Sequence, residues 1–192
     1  MSQAVIGVLD LQGDVKEHLS SIEIAGGRAI SVKSPRSMKE IDGIIIPGGE
    51  STTISKLMSL YGFFDAINLF ILDGGMVYGT CAGSILLAKH VIGDELLTLG
   101  LLDMKVERNA YGRQVDSFEE EIKIEELDQY PFKAIFIRAP IIMETGPDIS
   151  IMASHNGHPV MVRKKNILAT TFHPELSSDS RVHKYFIKMA KG

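Results

Sequence analysis

The stretch Met76-Val77-Tyr78-Gly79-Thr80-Cys81-Ala82-Gly83-Ser84-Ile85-Leu86-Leu87 constrains the fold more than any other part of the chain. A short apolar run ends in Gly-x-Cys-x-Gly, and a second apolar run follows at helical spacing. The pattern predicts a buried strand, a very tight turn and a helix, with the single cysteine of the chain at the apex. Gly79 and Gly83 flank that apex, where strand and helix backbones come too close for a Cβ. A residue held there projects its side chain away from the sheet, and N–H groups at the helix start face whatever it attacks. The position suits a nucleophile. A lone thiol is also commonly a small buried hydrophobe, so the motif alone leaves Cys81 evenly between the two roles.

Apolar runs at residues 4–9, 29–32 and 43–46 predict further strands, the last containing Ile44-Ile45-Ile46. A continuous β-branched run of this kind suits a parallel strand covered on both faces. Helical spacing of Val15, Leu19 and Ile22, stopped by Gly26-Gly27, predicts a helix after the first strand. A loop follows at Ser34-Pro35, and Ile54, Leu57, Met58 and Tyr61 mark another helix, continued over residues 63–72. This alternation predicts an α/β fold: an open, mostly parallel sheet with helices on both faces. Ligands of such a sheet lie beyond the C-terminal ends of its strands.

Beyond about residue 100 the rhythm changes. Residues 104–109, 118–124 and 134–137 read as strands with little helix between them. Residues 149–153 and 160–163 flank His155-Asn156-Gly157-His158, where Asn-Gly signals a hairpin. Residues 167–172 form a last strand, and Val182, Tyr185, Phe186, Met189 and Ala190 fit one face of a closing helix capped within 177–180. The expectation is antiparallel additions to one edge of the sheet, within a single domain spanning 1–192.

The totals exclude several classes. A hydrophobic content of 45% and a net charge of −4, without a block of like charges, support one core and offer no nucleic-acid footprint. One cysteine rules out an internal disulfide and a multi-cysteine zinc site, and a lone thiol suits a reducing compartment. No apolar stretch approaches the roughly 20 residues needed to span a bilayer, and no signal-peptide pattern opens the chain. A cytoplasmic protein without membrane or nucleic-acid partners is expected.

A cysteine nucleophile needs a base, and the best candidate is His173 in Thr171-Phe172-His173-Pro174-Glu175. It ends the last predicted strand, so it shares a rim with Cys81 if the two strands are parallel neighbours. In an extended segment Glu175 points the same way as His173, and a carboxylate there would orient the imidazole. Pro47-Gly48-Gly49-Glu50-Ser51 follows a strand and precedes a helix, presenting free N–H groups to an anion. The Lys-Ser/Thr ending of a nucleotide phosphate loop is missing. The N–H of Gly48 or Gly49, with that of Ala82, could form an oxyanion hole. The remaining candidates are weaker. His155 and His158 bracket a turn and read as solvated. His18, His90 and His183 fall on helix surfaces or ends. Asp10 and Asp14 flank the first turn, where helix capping accounts for Asp14. Arg108 and Arg138 each end an apolar strand, and either a carboxylate clamp or a structural ion pair would explain them.

Taken together, Pro-Gly-Gly-Glu-Ser-Thr, Gly-Thr-Cys-Ala-Gly and Phe-His-Pro-Glu, in this order, resemble the class I (triad-type) glutamine amidotransferases. Leu11-Gln12-Gly13-Asp14-Val15-Lys16-Glu17-His18, Glu107-Arg108-Asn109-Ala110-Tyr111-Gly112-Arg113-Gln114, Phe136-Ile137-Arg138-Ala139-Pro140 and His173-Pro174-Glu175-Leu176 resemble one branch, the glutaminase subunits of pyridoxal 5′-phosphate synthase. Ser84, in place of a larger apolar residue, and Asp10, in place of a small one, depart from the pattern. The resemblance implies a flavodoxin-like sheet and a Cys81-His173-Glu175 triad that hydrolyses L-glutamine through a glutamyl thioester. It further implies that Gly49, Glu50, Ser51, Arg108, Ile137 and Arg138 line the glutamine site. It implies no cofactor and no metal on this chain, with ammonia passing through a tunnel to a separate synthase subunit that makes pyridoxal phosphate.

The triad alone does not name the acceptor. A glutaminase serving another biosynthetic enzyme, a γ-glutamyl hydrolase or cysteine peptidase on the same scaffold, and a binding-only regulatory subunit are the alternatives. Gly48-Gly49 is a natural switch for gating by a partner, because glycine crosses backbone regions closed to other residues.

Overall fold

The computed structural model describes residues 3–93, 95–108 and 117–192. The chain begins with β1 (Val5–Leu9), α1 (Val15–Ile24), β2 (Arg28–Val32) and β3 (Gly43–Ile46). It continues through α2 (Ser51–Leu60), α3 (Phe63–Leu72), β4 (Met76–Thr80) and α4 (Ala82–Leu87). Five strands follow: β5 (Ala88–Ile92), β6 (Leu102–Glu107), β7 (Ser117–Ile122), β8 (Phe132–Ile137) and β9 (Ile141–Thr145). The chain closes with β10 (Ser150–His155), β11 (His158–Lys164), β12 (Ile167–Thr170) and α5 (Arg181–Ala190). Short 3-10 turns occupy Pro35–Glu40 and Pro174–Leu176.

Seven strands form the main sheet in the order β10-β11-β12-β4-β3-β1-β2. From β12 to β2 every pairing is parallel, and β10 and β11 add the antiparallel edge. The strand period of two explains the unbroken isoleucine run in β3. Ile44 and Ile46 enter the apolar cluster under α2, α3 and α4, and Ile45 enters the opposite cluster under α1 and α5. All three are fully buried, as a strand covered on both faces requires. The β10–β11 turn is the expected hairpin. Asn156 and Gly157 both take positive φ, 49° and 80°, and His155 pairs with His158.

The expected single edge addition is only part of the arrangement. The strands expected at 104–109, 118–124 and 134–137 do not join the main sheet. β6 pairs with β5 and β9 in a three-stranded sheet, and β7 pairs with β8 in a two-stranded one. The burial of β6 and β8 alternates, so each has one apolar face to cover. Leu102, Met104, Val106 and Ile142 pack into one core cluster, whereas Ile122, Phe132, Ala134 and Phe136 pack into the other. β5 and β9 were not foreseen, and the loop expected at Ser34-Pro35 opens into a 3-10 turn. Among the described residues no single helix is long and apolar enough to cross a membrane.

Candidate active site

The parallel pairing of β12 with β4, with Thr170 opposite Thr80, brings Cys81 and His173 to one rim of the sheet. Cys81 occupies the turn between β4 and α4 with φ 46° and ψ −105°, a conformation that side chains rarely adopt. The two glycines account for the sharpness of the turn. A Cβ on Gly79 would stand 2.5 Å from the Gly83 carbonyl oxygen, and one on Gly83 would overlap the Ile46 carbonyl oxygen. Backbone bonds hold the apex: the Cys81 N–H donates to the Thr170 carbonyl (2.8 Å), and the Ser84 hydroxyl donates to the Cys81 carbonyl (2.7 Å). Ser84, the departure that had no assigned role, thus clamps the elbow. Sγ of Cys81 lies 3.8 Å from the Ile137 carbonyl oxygen.

His173 is buried, and its Nδ1 lies 2.7 Å from Oε1 of Glu175 and 3.3 Å from Oδ2 of Asp14. Burial works against the imidazolium, yet hydrogen bonds with Asp14, Cys81 and Glu175 outweigh it and push His173 up to about 12. Glu175 lies in the Pro174–Leu176 turn, not in the extended segment expected, and still reaches the imidazole. Its burial shifts the carboxyl upward against the pull of His173. Asp14 departs from the capping role: its side chain makes no cap hydrogen bond at α1 and turns to His173. Ligand atoms of Asp14, His173 and Glu175 all lie within 4.8 Å of one another. Both carboxylates meet the same ring nitrogen, which must carry a proton to bond them, so the set fits an imidazole held by anions better than a cation.

A cavity of about 440 Å³ opens in front of this group. Cys81, Ala82, Gly49, Glu50, Ser51, Arg108, Ile137, Arg138 and His173 of the expected set all line it. Gly48 lies behind them, where a Cβ would strike the His173 ring and the Asp14 carboxylate. Glu50 is the N-cap of α2, accepting the N–H of Thr52 (3.1 Å) and Thr53 (2.7 Å) and both hydroxyls. The bonds from Thr52 and Thr53 hold its carboxyl down at about 2. Arg108 stands 3.7 Å from Glu50, so the two alternatives for this arginine meet in one geometry: it pairs with a carboxylate and faces the cavity. Arg138 follows β8 with φ 42°. The 109–114 part of the sequence motif around Arg108 lies outside the described residues.

Four residues at or behind the site escaped sequence reasoning. Gln12 lines the cavity and accepts the Glu50 N–H (2.8 Å), and Asp14 touches His173. Their shared signal was position in the turn after β1, whose end lies on the same rim. His18 and His183, expected on helix surfaces, are instead buried and bonded to each other. His90 does not lie on a helix but is exposed on β5, whereas Phe118 and Phe136 pack on the His155 ring. Asp10 accepts from the Ser31 hydroxyl and pairs with Lys33, away from the cavity.

A doubly wound sheet carrying a cysteine elbow, a carboxylate-held histidine and a facing glycine loop defines the class I amidotransferase type of fold. Comparison with known proteins is consistent throughout. The chain is similar to a solved glutamine amidotransferase with a TM-score of 0.93 at 43% identity, covering 97% of this chain and 99% of that one. A chain in the structure of PurLQS from Thermotoga maritima shares the fold at a TM-score of 0.70 and 14% identity, covering 98% of this chain and 99% of that one. The chain belongs to the SNO glutamine amidotransferase family, which it matches over residues 8–191. Among curated relatives, the pyridoxal 5′-phosphate synthase subunit PdxT of Fervidobacterium nodosum is 50% identical, covering 97% of each chain. That of Bacillus velezensis is 49% identical, covering 97% of this chain and 94% of the relative.

Proposed function

We propose that this chain hydrolyses L-glutamine to L-glutamate and ammonia in the cytoplasm and passes the ammonia to a synthase subunit that makes pyridoxal 5′-phosphate. The observation that carries the reading is that Cys81 and His173 line one cavity, with the buried Glu175 held 2.7 Å from the imidazole. With the thiol proton already resting on the raised His173 imidazole, Cys81 attacks the side-chain carboxamide carbon. The amide C–N bond then breaks, and His173 returns that proton to the leaving ammonia. Water attacks the resulting glutamyl thioester, His173 takes its proton, and glutamate leaves as the thiol is restored.

The N–H groups of Ala82 and Gly49 serve the tetrahedral oxyanion, with Gly48 acting from behind by seating His173. Removing one such donor typically costs about 3 kcal/mol of barrier. Glu50, fixed by its cap bonds, and Arg108 present opposite charges to the zwitterionic end of glutamine, with Ser51, Ile137 and Arg138 completing the wall. The volume of about 440 Å³ falls in the range of about 300–1,000 Å³ usual for small-molecule sites. Relatives at about half identity over nearly their whole length are pyridoxal 5′-phosphate synthase subunits, which supports this acceptor.

Glutamate release by the purified chain, with and without a pyridoxal 5′-phosphate synthase subunit, tests this. Activity that appears or rises strongly with the subunit, and vanishes in Cys81→Ala, supports the reading. No glutamate from the complete complex would overturn it.

A further inference from the structure

Behind Glu175 lies a set of polar groups that this reaction does not use. His18 on α1 and His183 on α5 are 0% and 1% exposed, and His18 Nδ1 lies 3.0 Å from His183 Nε2. The other nitrogen of His18, Nε2, bonds the Thr80 hydroxyl at 3.0 Å and stands 3.3 Å from Oε2 of Glu175, a buried oxygen with no hydrogen-bond partner among the described residues. Thr80 immediately precedes the nucleophile. Asp14 and His18 are four residues apart at the start of α1, so one helical turn flanks both His173 and Glu175.

The proton positions follow from the far end of this chain of contacts. His183 Nδ1 is buried and has no hydrogen-bond partner. An orphaned buried N–H is rarer and costlier than a bare acceptor, so His183 carries its proton on Nε2 and donates to His18 Nδ1. Burial holds both rings neutral, with each pKa lowered. His18 therefore carries its own proton on Nε2, pointed at Thr80 and beside Oε2 of Glu175. The reverse assignment would set a lone pair against the carboxylate and bury an unpaired N–H.

We propose that His18 is a positioning residue for the triad: its Nε2–H, bonded to the Thr80 hydroxyl at the strand end carrying Cys81, sets a positive dipole beside the second oxygen of Glu175, 3.3 Å away. Deep burial favours the neutral carboxylic acid, which could no longer stabilise the imidazolium of His173. His173 bonds Oε1 and the His18 Nε2–H dipole stands beside Oε2, which has no hydrogen bond of its own, so the pair favours an ionised and aimed Glu175. The inference rests on the glutaminase reading above.

The test uses the complete chain with its synthase subunit and compares His18→Phe, His18→Asn and His18→Gln. The Gln amide nitrogen can stand in for Nε2, whereas the Asn amide reaches only the Nδ1 position. His18→Phe and His18→Asn should lower kcat about tenfold, the rate equivalent of one neutral hydrogen bond, with KM for glutamine little changed. The acid limb of the kcat/KM profile should move to higher pH, and His18→Gln should recover most of both. Asp14, Tyr78, Cys81, His173 and His183 also face this group and shape the profile. The comparison is therefore repeated in a Glu175→Gln background, where the loss from His18→Phe should nearly disappear. Wild-type kcat and pH profile in both His18→Phe and His18→Asn, failure of His18→Gln to differ from His18→Asn, or an undiminished loss in Glu175→Gln would overturn the proposal. An inactive wild-type complex would instead overturn the glutaminase reading. Thermal melting of each variant separates a folding defect in His18→Phe from a loss of positioning, because His18→Asn and His18→Gln retain a polar group there.

Discussion

The carboxylates of Asp14 and Glu175 meet at one nitrogen of His173, 3.3 and 2.7 Å away, from opposite ends of the sequence. Glu175 is buried and Asp14 is partly exposed, so the nearer carboxylate has the fixed geometry and the farther one adds charge. Asp14→Asn should lower the His173 titration measurably by NMR and reduce kcat/KM severalfold, with a larger loss in Glu175→Gln. The raised His173 value also stabilises the fold. That contribution is fully present below the unfolded value of 6.5 and is lost as pH rises toward about 12. Denaturant melts should show the deficit of Asp14→Asn at neutral pH shrinking in strong alkali.

Cys81 gives a second prediction, because its φ of 46° is carried by a residue with a Cβ. Such strain costs on the order of 1–3 kcal/mol and persists where function requires it. Cys81→Gly should therefore melt above Cys81→Ala by about 1 kcal/mol, the reverse of the usual order of these residues. Both variants should release no glutamate. Equal or reversed melting temperatures would remove strain from the account of the elbow.

The triad was legible because each member lies in a short, self-contained signal. The elbow glycines mark Cys81, and the strand end before Pro174 marks His173 and its neighbour Glu175. The parallel character of the sheet was legible from runs such as Ile44-Ile45-Ile46, whose continuity demands cover on both faces, whereas the adjacency of β12 and β4 was only a condition. What escaped depends on contacts between distant segments. His18 and His183 are 165 positions apart, and nothing in either helix alone tells a buried imidazole from an exposed one. Asp14 offered a cheaper local explanation as a cap, which contact with His173 overrode. β6, β7 and β8 had the right length and alternation, but alternation specifies one buried face and not which sheet supplies the pairing.

Gly83 supplies a third prediction. Its Cα faces the Ile46 carbonyl at the end of β3, and that backbone atom cannot move aside as a flexible side chain would. Gly83→Ala should destabilise the protein by about 1–3 kcal/mol, the usual range for overpacking. Because α4 would be pushed off β3, the Ala82 N–H should move with it and kcat should fall further than stability alone explains. Melts and glutaminase assays on the same preparation separate the two effects, and an intact kcat at reduced stability would place the oxyanion donor elsewhere.

His183 gives the last prediction, on acid stability. Burial lowers it from 6.5 to about 4, so in the folded state it stays neutral where the unfolded chain would already be protonated. The unfolded state thus binds more protons between those values, and stability must fall as pH falls through that window. The contribution is present above 6.5 and is lost as pH drops through about 4, a shift worth about 3 kcal/mol. His18, lowered by the same burial and by His183 beside it, adds to the slope in the same direction. His183→Gln keeps an amide donor within reach of His18 Nδ1 but cannot take up a proton. Its stability should therefore decline less steeply than wild type between pH 6.5 and 4, while glutamine turnover at pH 7 stays near wild type. An unchanged acid slope in this variant would show that His183 is not a group whose protonation limits stability in acid.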